Sequence, residues 1–166
     1  MYRIVAALLI SAPMLAYGAD ANDSSFFKHA AEGGMAEVSD GQLASQKGNS
    51  QDVKDFGAMM VKDHSAANDK LMSIASAQNV TLPTSSSVMQ MAAHKKLDVE
   101  SGDTFDKAYI TGQYKAHVAT VRLFKKEIAM GMDQQAKDFA TATLPTVQAH
   151  LSKIKQVAAA HMITLK

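Results

Sequence analysis

The chain has 166 residues, 47% of them hydrophobic and 20% charged, with 17 basic against 16 acidic side chains. That size and balance suit one globular domain with its own core and exclude a disordered tail. The near-neutral charge offers no basic stripe for nucleic acid or an anionic membrane surface, and the lack of any cysteine excludes disulfides, thiolate chemistry and a cysteine-linked lipid anchor.

The first 19 residues, MYRIVAALLISAPMLAYGA, carry one charge (Arg3), an apolar run through Ala16 broken only by Ser11 and Pro13, and then small residues. This is the layout of a secretory signal peptide. Cleavage after Gly18, Ala19 or Ala21 fits it, and loss of Arg3 leaves 16 basic against 16 acidic residues. The mature protein is then expected in the periplasm or outside the cell. The run is shorter than the ~20 apolar residues of a spanning helix, and no other such stretch follows, so no transmembrane segment is expected in the mature chain.

Residues 24–163 read as a bundle domain that is helical nearly throughout. The first helix is expected to be capped by Ser24 or Ser25 and to carry Phe27, Ala30, Gly34, Glu37, Gly41 and Ala44 on one face, ending at Gly48. The second follows the turn "GNSQD", with Ser50 as cap, and runs to about Asn79 on a stripe of Val53, Phe56, Met60, His64, Ala67, Leu71 and Ile74. "NVTLPTSSSV" breaks the chain, a short helix spans about 87–99, and "ESGDT" ends it. A third long helix, beginning after Ser101 or Asp103, holds Ile110, His117, Val121, Phe124 and Ile128 in register. After "MGMD" the fourth runs from about Gln134 with Ala136, Ala140, Thr143, Val147, His150, Ile154 and Val157, and Pro145 should kink it by deleting the bond to the Thr141 carbonyl.

"GNSQDVKDFG" (48–57) and "GMDQQAKDFA" (131–140) share Gly, Gln, Lys, Asp and Phe at matching positions, which points to a repeated helical hairpin that places Phe56 and Phe139 equivalently. Two hairpins make a four-helix bundle. The connection from Val80 to Asp103 is long enough to cross the bundle's length, so the expected fold is all-α and ferritin-like: two antiparallel hairpins joined by a long crossover containing a short extra helix.

Each long helix has one ligand-capable residue inside its apolar stripe: Glu37, His64, His117 and His150. At ~1.5 Å per residue these lie roughly 15–24 Å from their hairpin turns. If the turns sit at opposite ends, all four meet near mid-depth. Burying four such groups uncompensated costs several kcal/mol, whereas one divalent cation would satisfy them together. Neutral imidazoles with a carboxylate suit zinc, copper or iron. Asp63, about 100° around the helix from His64, is placed to support a ligand or to face solvent, and the same holds for Asp106 and Glu127. A rival soft site for Cu(I) would use Met89, Met91 and His94 of "MQMAAH".

The Glu-x-x-His pairs of di-iron bundles are missing, since the residues three before His64, His117 and His150 are Val61, Tyr114 and Val147. That disfavours a ferritin-like oxidoreductase, and no catalytic residues are assigned. The competing reading is a non-catalytic structural or partner-binding protein of the envelope whose histidines are ordinary core residues. At "FFKHAAEGGMAEVSDGQLASQK", "VKDFGAMMVKDHSAANDKL", "SGDTFDKAYI" and "FATATLPTVQAHL" the chain resembles the exported bacterial proteins of domain-of-unknown-function family 4142. The resemblance spans nearly all of the mature chain and implies a ferritin-like four-helix fold. It assigns no function.

Overall fold

A computed structural model describes residues 21–166, in which α1 (Ala21–Lys47), α2 (Gln51–Ala77), α4 (Gly102–Met130) and α5 (Gln134–Ala160) are long helices and α3 (Val88–Asp98) is short. The signal peptide expected over residues 1–19 lies outside the described residues. The architecture is the expected all-α bundle: α1 pairs with α2, α4 pairs with α5, and the segment containing α3 is the crossover. The helices adjoin in the cyclic order α1, α2, α5, α4, so the two joined by the crossover stand diagonally.

Two turns define the ends of the bundle. In the first, the backbone N–H groups of Asn49 and Ser50 donate to the buried Asp106 carboxylate at the start of α4, over 2.8 and 2.9 Å. In the second, the N–H groups of Met132 and Asp133 donate to buried Asp23 at the start of α1, both over 3.0 Å. The turns therefore lie at opposite ends. Asp23 and Asp106 each precede their own hairpin's turn glycine, Gly48 or Gly131, by 25 residues, so each hairpin's first helix stoppers the other's turn.

The repeat extends well beyond the ten matching residues. Gln51 bonds Asp55 one turn on, as Gln134 bonds Asp138. The second helix of each hairpin ends at a residue with positive φ, Asn79 or Met162, and the following N–H returns to the Ala75 or Ala158 carbonyl over 2.8 Å. This is a left-handed helix stop. Asn takes that conformation readily, whereas Met162 adopts it with no such help from its side chain.

α1 and α2 pack most closely where glycines oppose each other. A Cβ at Gly41 would lie 2.7 Å from the Gly57 carbonyl oxygen, and one at Gly57 would lie 2.7 Å from that of Gly41. Some expectations shift locally. Ser24 and Ser25 lie inside α1, which is already helical at Ala21, because the tertiary contact of Asp23 anchors its first turn. Ser50 stands at the start of α2 but spends its hydroxyl on Asp106 over 2.7 Å. α5 continues through Pro145 as helix. The start of α3 has a full capping box between Ser87 and Gln90.

The core divides into two apolar layers. One, toward the first turn, contains Val53, Phe56, Met60, Phe105, Tyr109, Ile110 and Ile154; the other, toward the second, contains Phe26, Phe27, Leu71, Phe124 and Phe139. Buried polar residues separate them.

Candidate metal centre

His64 of α2, His117 of α4 and His150 of α5 form a triangle between the apolar layers, with ring centroids 5.8, 5.4 and 5.5 Å apart. All three are buried. Each sits in its helix's apolar stripe and so turns inward at the same depth. Phe56 closes the first-turn side, its ring 6.1 Å from His117 and 6.5 Å from His150. One nitrogen from each of the three histidines lies within 4.8 Å of the others. Nitrogens around one tetrahedral zinc would be about 3.3 Å apart at a Zn–N distance of ~2.0–2.1 Å, so modest side-chain rotation closes the set.

Hydrogen bonds fix the outer nitrogens of His117 and His150. His117 Nδ1 is 2.9 Å from the Gln113 carbonyl oxygen, which only accepts, so this nitrogen carries the proton and Nε2 carries the lone pair. His150 Nε2 is 2.9 Å from the Asp63 carboxylate, so Nε2 donates and Nδ1 holds the lone pair. The nitrogens left without a partner are His117 Nε2, His150 Nδ1 and His64 Nε2. Holding the outer nitrogen by a carbonyl or carboxylate is how metal-binding histidines are oriented. Burial, reinforced by repulsion from His117 and His150, pushes His64 down to about 3. Burial likewise lowers His117 to about 4, with the Gln113 bond opposing the shift and His150 adding to it. Both rings are therefore neutral at neutral pH, the state that donates to a metal.

Glu37 of α1 does not join the triangle. Its Oε1 lies 3.8 Å from His117 Nδ1, the nitrogen turned toward the Gln113 backbone, and its side chain is hydrogen-bonded to that of Gln113. The expected set of three histidines and a carboxylate is thus three converging histidines with Glu37 beside them. The cause is position: α1 packs chiefly on α2 and α4, and the carboxyl is drawn against α4. Burial raises its pKa to about 8, against the Gln113 bond and with Asp40 adding to the rise. Its Oε2 has no partner.

Asp63, one residue from His64, reaches across to orient His150. Asp106 is remote from the centre and serves the first turn, while Glu127 is buried near the end of α4. Met89 and Met91 are 82% and 39% exposed and project about 200° apart on α3. His94 turns instead to Asp40 over 2.6 Å, so the three do not converge as a Cu(I) site. Gln113 and Tyr109, both buried beside Glu37, escaped notice in the sequence. Gln113 was signalled only by its place one turn before His117.

The family model for a domain of unknown function, DUF4142, matches residues 11–157. No curated protein matches the chain. Among solved structures, a DUF305 fragment from Deinococcus radiodurans superposes with a TM-score of 0.74 at 8% identity, covering 85% of this chain and 97% of its own. A DUF305 protein from Streptomyces coelicolor gives 0.73 at 13% identity, with 89% and 98% covered. At such low identity the likeness establishes the fold alone.

Proposed function

The chain belongs to the DUF4142 family, and we propose that this member is an exported helical bundle that holds one divalent metal ion, zinc, copper or iron, between His64, His117 and His150. One observation carries the reading: three buried histidines converge, each with a buried ring nitrogen that has no protein partner, while the opposite nitrogens of His117 and His150 are held by Gln113 and Asp63. If the histidines were ordinary core residues, each unpaired nitrogen would cost about 1–3 kcal/mol with nothing in return. Export rests on the first 19 residues. Among the described residues no helix is long and apolar enough to cross a membrane.

The test is metal analysis of untagged protein from the periplasm, followed by calorimetric titration of chelator-treated protein with zinc, copper(II) and iron(II). Binding of one equivalent in the wild type and its loss in His64→Ala and His117→Ala is the expected result. Binding no tighter than about millimolar for all three metals would overturn the proposal.

A further inference from the structure

Resting on that metal reading, we propose that the bound metal keeps one position for an exchangeable ligand of at most about three non-hydrogen atoms, which enters from a surface cleft past Gly33 and Glu37. Zinc-type centres with three protein ligands characteristically retain such a position, whereas four protein ligands close it. Here three histidines converge and both neighbouring carboxylates stand at outer ring nitrogens, Asp63 at His150 Nε2 and Glu37 near His117 Nδ1.

There is space for the ligand. A cavity of about 30 Å³ lies on the His64 side of the triangle, bounded by His64 but not by His117 or His150, and by Glu37, Asn68, Thr143, Leu71 and Phe139. It exceeds the ~10–15 Å³ that one water requires. Two of its bounding residues carry unpartnered buried atoms, His64 Nε2 and Glu37 Oε2. A site that offers polar atoms and room for one small molecule, but not for a ring, selects water at rest and a compact lone-pair donor in its place.

There is also a route. A cleft of about 1170 Å³ runs between α1, α3 and α4, walled by small residues that include Ala36, Ala93 and Ala116. His29, Gly33, Glu37, Thr120 and Leu123 border both the cleft and the small cavity. At Gly33 a Cβ would meet nothing nearer than Gln90 Nε2, at 4.0 Å. A Cβ there displaces nothing, and a longer side chain built on it would extend toward the passage.

The experiment uses the full mature protein loaded with cobalt(II), whose visible ligand-field bands report changes in its ligands. Azide should shift the bands saturably, and imidazole, too large for the cavity, should leave them unchanged. Gly33→Leu should load with cobalt and reach the same azide end point, but at a rate several-fold slower. Bound cobalt that ignores azide, or responds equally to imidazole, would overturn the open position while leaving metal binding intact. An unchanged azide rate in Gly33→Leu would overturn the route. Failure to take up cobalt, together with failure to bind zinc, copper or iron, would overturn the metal reading and this inference with it.

Discussion

A histidine at position 64 replaces what the stripe of Val53, Phe56 and Met60 leads one to expect, another aliphatic or sulfur side chain, and its cost should be visible in the pH dependence of stability. In chelator-treated protein, His64 and His117 titrate at about 3 and about 4 when folded against 6.5 when unfolded. The unfolded chain thus takes up protons below pH 6.5 that the folded chain refuses. Stability is fully present above 6.5 and falls as the pH drops toward 4 and then 3. Glu37, raised from 4.5 to about 8, works in the opposite sense: the unfolded carboxyl ionises first, so stability falls as the pH rises from 4.5 toward 8. Each group contributes a slope of about 1.4 kcal/mol per pH unit inside its window. Two histidines outweigh one carboxyl below pH 6.5 and the carboxyl acts alone above it, so maximum stability should lie near pH 6.5. Urea denaturation from pH 4.5 to 8 checks this, and Glu37→Gln should flatten the alkaline limb while keeping the acid one. An alkaline decline undiminished in that variant would show that other groups cause it.

Helix positions and hairpin pairing were legible because they depend on local signals: the three-and-four spacing of Phe56, Met60 and His64, and the turn glycines Gly48 and Gly131. What stayed hidden depends on partners distant in sequence. Asp106 resembles any surface carboxylate until the fold brings it to the first turn, where it accepts from Asn49 N, Ser50 N and the Ser50 hydroxyl. Glu37 was traceable to the right depth but not to its direction, since helical phase does not say which neighbour draws a long side chain. Two substitutions test this level. Asp106→Ala, which strands these donors, should cost roughly 2–4 kcal/mol. Gly57→Ala would gain up to about 1 kcal/mol in an isolated helix, yet here its Cβ meets backbone across the α1/α2 contact, so a net loss of ~1–3 kcal/mol is expected. Denaturant midpoints measure both, and a stabilised Gly57→Ala would mean that the two helices separate more cheaply than their contact implies.

The whole molecule is two apolar layers clamped about a polar one, and that arrangement sets stability against binding. Without metal, the middle layer buries nitrogens that find no partner in the protein, so an apolar side chain of similar volume should serve folding better. His64 is the best place to test this, because its Nε2 is unpartnered and the fixed rings of His117 and His150 keep their outer hydrogen bonds without it. His64→Leu should therefore melt above the wild type in chelator, by an amount consistent with relieving an unmet polar group of about 1–3 kcal/mol. With metal the order should reverse. A ligand that binds only the folded state at a hundred times its Kd adds about 2.7 kcal/mol, which at 2–4 °C per kcal/mol raises the wild-type midpoint by roughly 5–10 °C. The variant, lacking one of three donors, should show little of that increment. Thermal melts of both proteins, with chelator and with each metal, give four curves whose crossing is the signature of a layer kept for binding. Parallel behaviour, with wild type the more stable in both conditions, would mean instead that His64 is retained for the fold.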